Sequence, residues 1–299
     1  MIQIKLKKIS LALLSLGLLF ASCEPYEDFA TDFDYTTTYF ATQKPLRTIV
    51  SYDEMEFKVG VSLGGKRENS KDEYVNFEID ENLLTTVDGA SGFTLLPDSY
   101  YELSDDYQMV ISKGEFIGDV TVTLNRDLFT NDPLATQNTY ALPIKLTDSS
   151  LDSILDTKDH TVLVVKYISQ YSGVYYHKGT QKELDGSGGV VEEVVYDDTE
   201  LINNQTWKLT TVDRNSVRTP GVGTLTNQNF VINIDESDNT VAIDSPSAGV
   251  TNLVGSGVVN EDRSISLNYS YTNGGKNYEV EDTLVLRQAV EFDLRFEEW

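Results

Sequence analysis

The dominant regularity of this sequence is an alternation of period two. Val59, Val61 and Leu63 alternate with Lys58, Gly60 and Ser62; Val75, Phe77 and Ile79 with Asn76 and Glu78; Val120, Val122 and Leu124 with Thr121 and Thr123. A strand turns successive side chains to opposite faces, so each of these segments carries one wet face and one buried face. Leu142, Ile144 and Leu146 continue the pattern, and residues 161–167 form a nearly unbroken apolar run suited to a central strand covered on both sides. Nothing sustains the helical period for long enough to build a bundle. Residues 80–86, 126–130 and 149–155 are long enough only for single helical turns at sheet edges. The expected fold class is therefore all-β.

A chain of 299 residues accommodates about two domains. The run Tyr167-Ile168-Ser169-Gln170-Tyr171-Ser172-Gly173 marks the expected boundary, because the turns change character beyond it. Residues 185–189, 235–239, 260–263 and 273–275 are Asp-, Asn- and Gly-rich punctuation of the kind that closes hairpins. Between them lie strand-like stretches at 175–182, 190–196, 207–212, 230–234, 241–243, 253–259, 265–271 and 278–286. Such a meander has about eight strands, the number that closes a small up-and-down barrel and removes its edges. The expectation is a β-sandwich over 34–168 followed by an antiparallel barrel over 169–299.

The first residues are of another kind. Lys5, Lys7 and Lys8 precede an apolar run from 9 to 20, followed by Ala21, Ser22 and Cys23. A membrane-spanning helix needs roughly 20 apolar residues and this run has about a dozen, so residues 1–22 read as a signal peptide. Cys23 is the single cysteine, and its place after Phe20-Ala21-Ser22 resembles the lipobox of bacterial lipoproteins. The resemblance implies that Cys23 becomes the acylated first residue of a tether over 23–33, with Phe20 standing where Leu is usual. Glu24, Glu27 and Asp28 resemble the acidic signal that sends lipoproteins of Bacteroidota to the outer face of the outer membrane.

Charge and inventory then narrow the chemistry. Lys and Arg number 23 against 48 for Asp and Glu, a net charge of −25, and such a field repels nucleic acid. With Cys23 acylated, no thiol is left for a disulfide, a thiolate metal site or a nucleophile. Two histidines, His160 and His177, fall on different expected domains; His160 reads as a turn residue and His177 as a surface or rim residue. Neither supports a triad or an HExxH helix. The acidic stretches 197–200 and 235–239 carry oxygen ligands that suit calcium but lack EF-hand spacing, and read as turns. No metal, cofactor or catalytic residue is assigned, and the chain is expected not to be an enzyme.

Leu96-Pro97-Asp98-Ser99-Tyr100-Tyr101, Met109-Val110-Ile111-Ser112-Lys113-Gly114, the strand 120–124, Tyr140-Ala141-Leu142-Pro143-Ile144-Lys145-Leu146 and residues 161–166 together carry a family resemblance. They resemble the N-terminal immunoglobulin-like domain, of unknown function, of lipoproteins from gut Bacteroidota that recur beside starch-utilisation-type glycan uptake systems. Tyr171-Ser172-Gly173-Val174-Tyr175 and Asp282-Thr283-Leu284-Val285-Leu286-Arg287 are similar to the first and closing strands of the lipocalin-like partner domain in the same proteins. The resemblance implies an immunoglobulin-like sandwich, a lipocalin-like barrel and a lipid-anchored outer-membrane protein facing the cell exterior.

Aromatic residues are the remaining candidates, since sugar rings stack on aromatic faces while nearby polar groups take the hydroxyls. Trp207 shares a face with Leu209, and Tyr269 and Tyr271 share one with Ile265 and Leu267, so these three point inward, as core or as the wall of a cavity. Tyr175 and Tyr176 are adjacent and face opposite sides, which leaves one of them outside as a platform. Trp299, beside Glu297 and Glu298, is either a tucked plug or an exposed ring. The expected function is non-catalytic binding of a polysaccharide or oligosaccharide beside an outer-membrane transporter complex. The rivals are a structural or protein-interaction lipoprotein and a carrier of a small apolar ligand.

Overall fold

The computed structural model describes residues 33–299. Cys23, the leader 1–22 and the tether up to residue 32 lie outside the described residues. The period-two segments form strands, and their alternation fixes which side of each faces the core. In the first domain these are β1 (Thr37–Phe40), β2 (Pro45–Val50), β3 (Glu56–Gly64), β4 (Glu73–Ile79), β5 (Thr94–Leu95), β6 (Tyr101–Leu103), β7 (Gln108–Ile111), β8 (Ile117–Leu124), β9 (Tyr140–Ser149), β10 (Ser153–Ile154) and β11 (His160–Ile168). They run in the order β10-β1-β3-β8-β7-β4-β9-β11-β2, with β5 on β9 and β6 on β8. One pair alone, Val110 with Asp119, joins β7 to β8. The path therefore folds into two leaves there, and a Cβ on Gly118 would come within 2.7 Å of the Val110 backbone.

Between the leaves lie Phe40, Phe57, Val61, Val75, Phe77, Met109, Ile111, Val122, Leu142, Ile144, Leu163 and Tyr167. β9 and β11 are buried on both faces, as the unbroken run at 161–167 requires. Ala141, Val162 and Val164 on their second face meet Leu46, Leu83 and Leu84, the last two from the helical turn Leu83–Thr86. A second turn, Arg126–Thr130, is capped by the Asn125 side chain and held to β11 by the Tyr167 hydroxyl, which donates to the Thr130 carbonyl at 2.9 Å. The helical turn expected at 149–155 does not form. There β9 runs on to Ser149 and β10 pairs in parallel with β1, because the Asp152 carboxylate accepts from both the N–H and the hydroxyl of Thr36. His160, expected in a turn, begins β11, with Nδ1 2.8 Å from Asp159.

The second domain comprises β12 (Gly173–Leu184), β13 (Val190–Tyr196), β14 (Gln205–Asp213), β15 (Ser216–Arg218), β16 (Val231–Asp235), β17 (Thr240–Asp244), β18 (Val250–Val259), β19 (Ile265–Asn273) and β20 (Lys276–Leu286). The order β12-β14-β15-β16-β17-β18-β19-β20 closes on itself through β12 and β20, giving an antiparallel barrel of eight strands. The strand count is as expected but its membership differs. β15 has three residues, too few for alternation to show, and β13 is not a stave. β14 pairs with β12 at residues 173–177 and β13 pairs with β12 further along, at 179–184, on the same edge.

Inside the barrel Trp207, Leu209, Phe230, Ile232, Ile265, Leu267, Tyr269, Tyr271 and Leu284 pack together. The loop between β15 and β16 turns into one end, where Val222 bridges to Leu225 and both Val222 and Phe230 are fully buried. Contact between the domains is polar. Glu236 accepts from Arg126 of the sandwich and from Arg214 and Gln170. The acidic stretch 235–239 is thus occupied by guanidinium and amide groups, and its Asp235 and Asp238 carboxylates accept from Ser237 and Thr240.

The chain finally leaves the barrel. β21 (Glu297–Glu298) pairs antiparallel with β2, opposite Pro45 and Leu46, so residues 297–299 belong to the first sheet although they follow the barrel in sequence. Trp299 is the tucked plug of the two alternatives. Its Nε1 donates to the Val162 carbonyl at 2.6 Å, Phe93 meets its ring edge-on at 4.7 Å and Lys44 lies over its face.

Candidate functional site

Strand parity turns Tyr175, His177, Gly179 and Gln181 of β12 into the barrel, together with Trp207 of β14, Tyr269 and Tyr271 of β19, and Asp282 of β20. Three of these are polar groups in an apolar interior, where each needs a partner. Asp282 is buried and accepts from the Tyr196 hydroxyl at 2.6 Å and from the Tyr269 hydroxyl at 2.6 Å. Tyr269 in turn accepts from the Gly223 N–H at 2.7 Å, which ties the inturned loop to the barrel floor. The Gln181 carbonyl oxygen accepts from the Tyr271 hydroxyl and the Thr224 N–H, while its amide donates to the Thr224 hydroxyl.

His177 differs from these. It is 3% exposed, not the surface or rim residue expected from sequence, because strand parity carries it inward beside Tyr175. Its ring stacks on Trp207 at 3.7 Å and 22° and lies 4.8 Å from the Tyr196 ring. Nε2 sits 3.0 Å from Asp282 Oδ1 but off the hydrogen-bonding direction, and it is a buried polar atom without a hydrogen bond among the described residues. Burial, then the Asp282 charge, pushes the Tyr196 and Tyr269 hydroxyls far above the usual phenol range, so both stay protonated donors. Gly179 keeps this cluster compact, since a Cβ there would lie 2.5 Å from Asp282 Oδ1 and 2.3 Å from the Glu281 carbonyl.

A recess of about 460 Å³ opens above His177. Its walls are Val194, Val195 and Tyr196 of β13, Asp197, Asp198, Asn203, Asn204 and Gln205 of the following link, and Gly223 and Thr224 of the inturned loop. The link is preformed. Asn204 accepts from the Asp198 N–H and donates to the carbonyls of Asp198, Glu200 and Leu201, and Asp198 accepts from the Glu200 N–H and the Asn203 amide. The stretch 197–200 is accordingly a closed turn, with Asp197 paired to Lys178 at 2.6 Å. The Gln205 side chain is exposed and makes no hydrogen bond among the described residues. The recess thus presents carboxamide, carboxylate and hydroxyl groups over an aromatic and imidazole floor.

The aromatic candidates separate. Trp207 lies beneath this floor, stacked on His177, and Tyr269 is buried beside it, joined through Asp282. Tyr271 lies behind it, stacked on Tyr278 at 4.9 Å. Tyr175 is core, its hydroxyl donating to the Tyr171 carbonyl at 2.9 Å. Tyr176 is the half-buried outward ring of that pair, and Trp299 lies on the other domain. Sequence reading missed Asp282, Gln181 and Tyr196 as site residues. For Asp282 the signal was present: it shares a face with Val280 and Leu284, and an acid on an apolar face is a mark of function or of a buried network.

A family model described as a "-like, N-terminal domain" matches residues 33–153. A Bacteroides ovatus crystal structure of unknown function is 22% identical, with a TM-score of 0.72, over 85% of this chain and 95% of that one. That likeness shows the fold. Another Bacteroides ovatus structure, named for a proposed carbohydrate-binding role, is 13% identical over 85% of this chain and 99% of that one with a TM-score of 0.34. EndoBT-3987 of Bacteroides thetaiotamicron, solved with a Man5GlcNAc product, is 17% identical over 43% of this chain and 31% of its own, with a TM-score of 0.32. These two superpose too loosely to bear on fold or site. No curated protein matches.

Proposed function

We propose that this chain is a lipid-anchored surface protein that binds glycan in the barrel recess without cleaving it. The observation that carries the reading is the recess itself. It combines a volume of about 460 Å³ with carboxamide, carboxylate and hydroxyl groups around His177 and Tyr196, with Trp207 stacked beneath His177, and small-molecule sites occupy roughly 300–1,000 Å³. A sugar offers the complement, with an apolar ring face and a rim of hydroxyls. Binding without cleavage is supported by the state of the carboxylates. Asp282 is engaged by two tyrosines, Asp197 by Lys178, and Asp198 by the Glu200 N–H and the Asn203 amide, so none of the three stands ready as an acid–base partner across the opening. Anchoring through Cys23 follows the N-terminal sequence, and service beside an outer-membrane uptake system follows the family resemblance carried by residues 96–166. A weak site on such a tethered module gains avidity when several modules share one polymer.

Calorimetry of the folded protein against plant, host and microbial polysaccharides tests this. The expected result is millimolar to micromolar binding of one glycan class, lost in Gln205→Trp, whose indole fills the mouth, with unchanged stability. Uniform absence of heat, binding indifferent to Gln205→Trp, or release of shortened sugars would overturn it.

A further inference from the structure

Closing the barrel leaves the whole outer edge of β13 unpaired. β13 hydrogen-bonds to β12 on one side, and no strand of the described residues runs along its other side. Native edges are usually kept short, bulged or covered, because a bare row of N–H and C=O groups templates another strand. β13 is seven residues long, and Val190, Val191, Val194 and Val195 are all exposed, Val191 at 62% and Val195 at 65%. Ile202, in the link just beyond, is 80% exposed. Apolar side chains on both faces of an unpaired strand serve neither core packing nor solubility.

The charges select the occupant. Residues 190–195 read Val-Val-Glu-Glu-Val-Val. Fully overlapped antiparallel pairing of two copies sets Glu192 against Glu193 twice, and a slip by one residue sets Glu192 or Glu193 against itself. Like charges directly opposite destabilise a strand pair, and the chain's net charge of −25 adds to the repulsion. Within the ladder Glu192 faces Glu183, and Glu193 makes a long ion pair with Lys182 at 3.8 Å. A basic strand meets attraction where a second copy meets repulsion.

We infer that β13 is a docking edge for an extended segment of a protein partner, in which apolar residues flank a central pair of Lys or Arg, added as a further strand beside β13. Backbone hydrogen bonds supply the affinity of such an addition and alternate side chains its specificity. The site is independent of whether the recess holds sugar.

The test uses the full chain with three capped octapeptides. These are Ser-Val-Val-Lys-Lys-Val-Val-Ser, its Glu-Glu counterpart, and the Lys-Lys peptide N-methylated at alternate residues. Fluorescence anisotropy is expected to show the Lys-Lys peptide bound at least tenfold tighter than the Glu-Glu one, with slowed hydrogen exchange at residues 190–196 and no binding after N-methylation. The double variant Glu192→Lys, Glu193→Lys is exposed at both positions, so its fold is verified by near-ultraviolet circular dichroism, and it should reverse the preference. Equal binding of the Lys-Lys and Glu-Glu peptides, no preference change in the double variant, or absence of protection at 190–196 would overturn the inference. So would sedimentation showing a dimer protected at β13, which would make the occupant a second copy.

Discussion

Each domain holds an aspartate that accepts from two tyrosine hydroxyls, and the two clusters differ in what surrounds them. In the sandwich Asp132 accepts from Tyr140, from Tyr100 at 3.1 Å and from the Leu134 N–H at 2.9 Å, with Tyr100 meeting Tyr140 and Phe129 edge-on. Burial works to raise Asp132, but the hydrogen bonds from Tyr140, Leu134 and Tyr100 outweigh it and hold the carboxyl below the usual range. The Asp132 bond, with burial second, pushes Tyr140 up to about 12. Every partner there is supplied by the chain. In the barrel Asp282 has the same two-tyrosine grip, yet beside it the buried Nε2 of His177 is left without a hydrogen bond among the described residues, beneath an open recess. An aspartate–tyrosine cluster is therefore not a sign of a site; a buried polar group left unfilled next to open space is.

The largest effect should come from removing the barrel carboxylate. Asp282→Ala strands two buried hydroxyls and is expected to cost about 4 kcal/mol in urea unfolding, against about 2 kcal/mol for the partly exposed Asp132→Ala. Equal losses would erase the distinction. Trp207→Ala should follow with about 3 kcal/mol, since it removes a buried ring and the stack under His177, whereas Tyr176→Ala should change stability by less than about 0.5 kcal/mol. A Tyr176 loss as large would mean that the outward ring is core. Gly179→Ala should cost roughly 2 kcal/mol through its clash with Asp282, while Gly92→Ala, with open space around it, should be close to neutral.

The smallest effect is a pH dependence in the sandwich. Glu73 is buried and accepts from Lys66 at 2.8 Å and Ser150 at 2.6 Å. Burial acts to raise it, but these partners prevail and lower its pKa from 4.5. A carboxyl lowered on folding stabilises fully above its unfolded pKa and loses that contribution as pH falls through the folded one. Thermal midpoints of the native protein should therefore decline below about pH 4.5, and those of Glu73→Gln should decline less over the same interval. Parallel curves would remove Glu73 from the account.

Much of this architecture was legible because burial imposes parity. The faces of β3, β4, β8, β9 and β11 follow from their alternating or continuous apolar residues, and Asp282 was legible in the same way between Val280 and Leu284. What could not be read depends on contacts between distant segments. β15 is three residues whose pairing comes from its neighbours, and β13 has the composition of a stave but lies beyond the stretch of β12 taken by β14. The recess arises only where the link after β13 meets the loop at 219–225, and no local pattern announces that meeting. His177 was misread for want of applying to β12 the parity already applied to Trp207.

The return of Trp299 to the sandwich has a mechanical consequence. The barrel is joined to the first sheet at two places, by the chain running on from β11 and by β21, which is held to β2 through hydrogen bonds, and these strands flank β2 on either side. Neighbouring strands lie about 4.8 Å apart and rise about 3.3 Å per residue; Ile168 sits opposite Val50 and Glu297 opposite Leu46, so the two attachment points are roughly 16 Å from one another. A body slung from one cord spins freely, while one slung from two resists torque. A polymer dragging on the barrel would load both cords and leave the mouth of the recess facing one way.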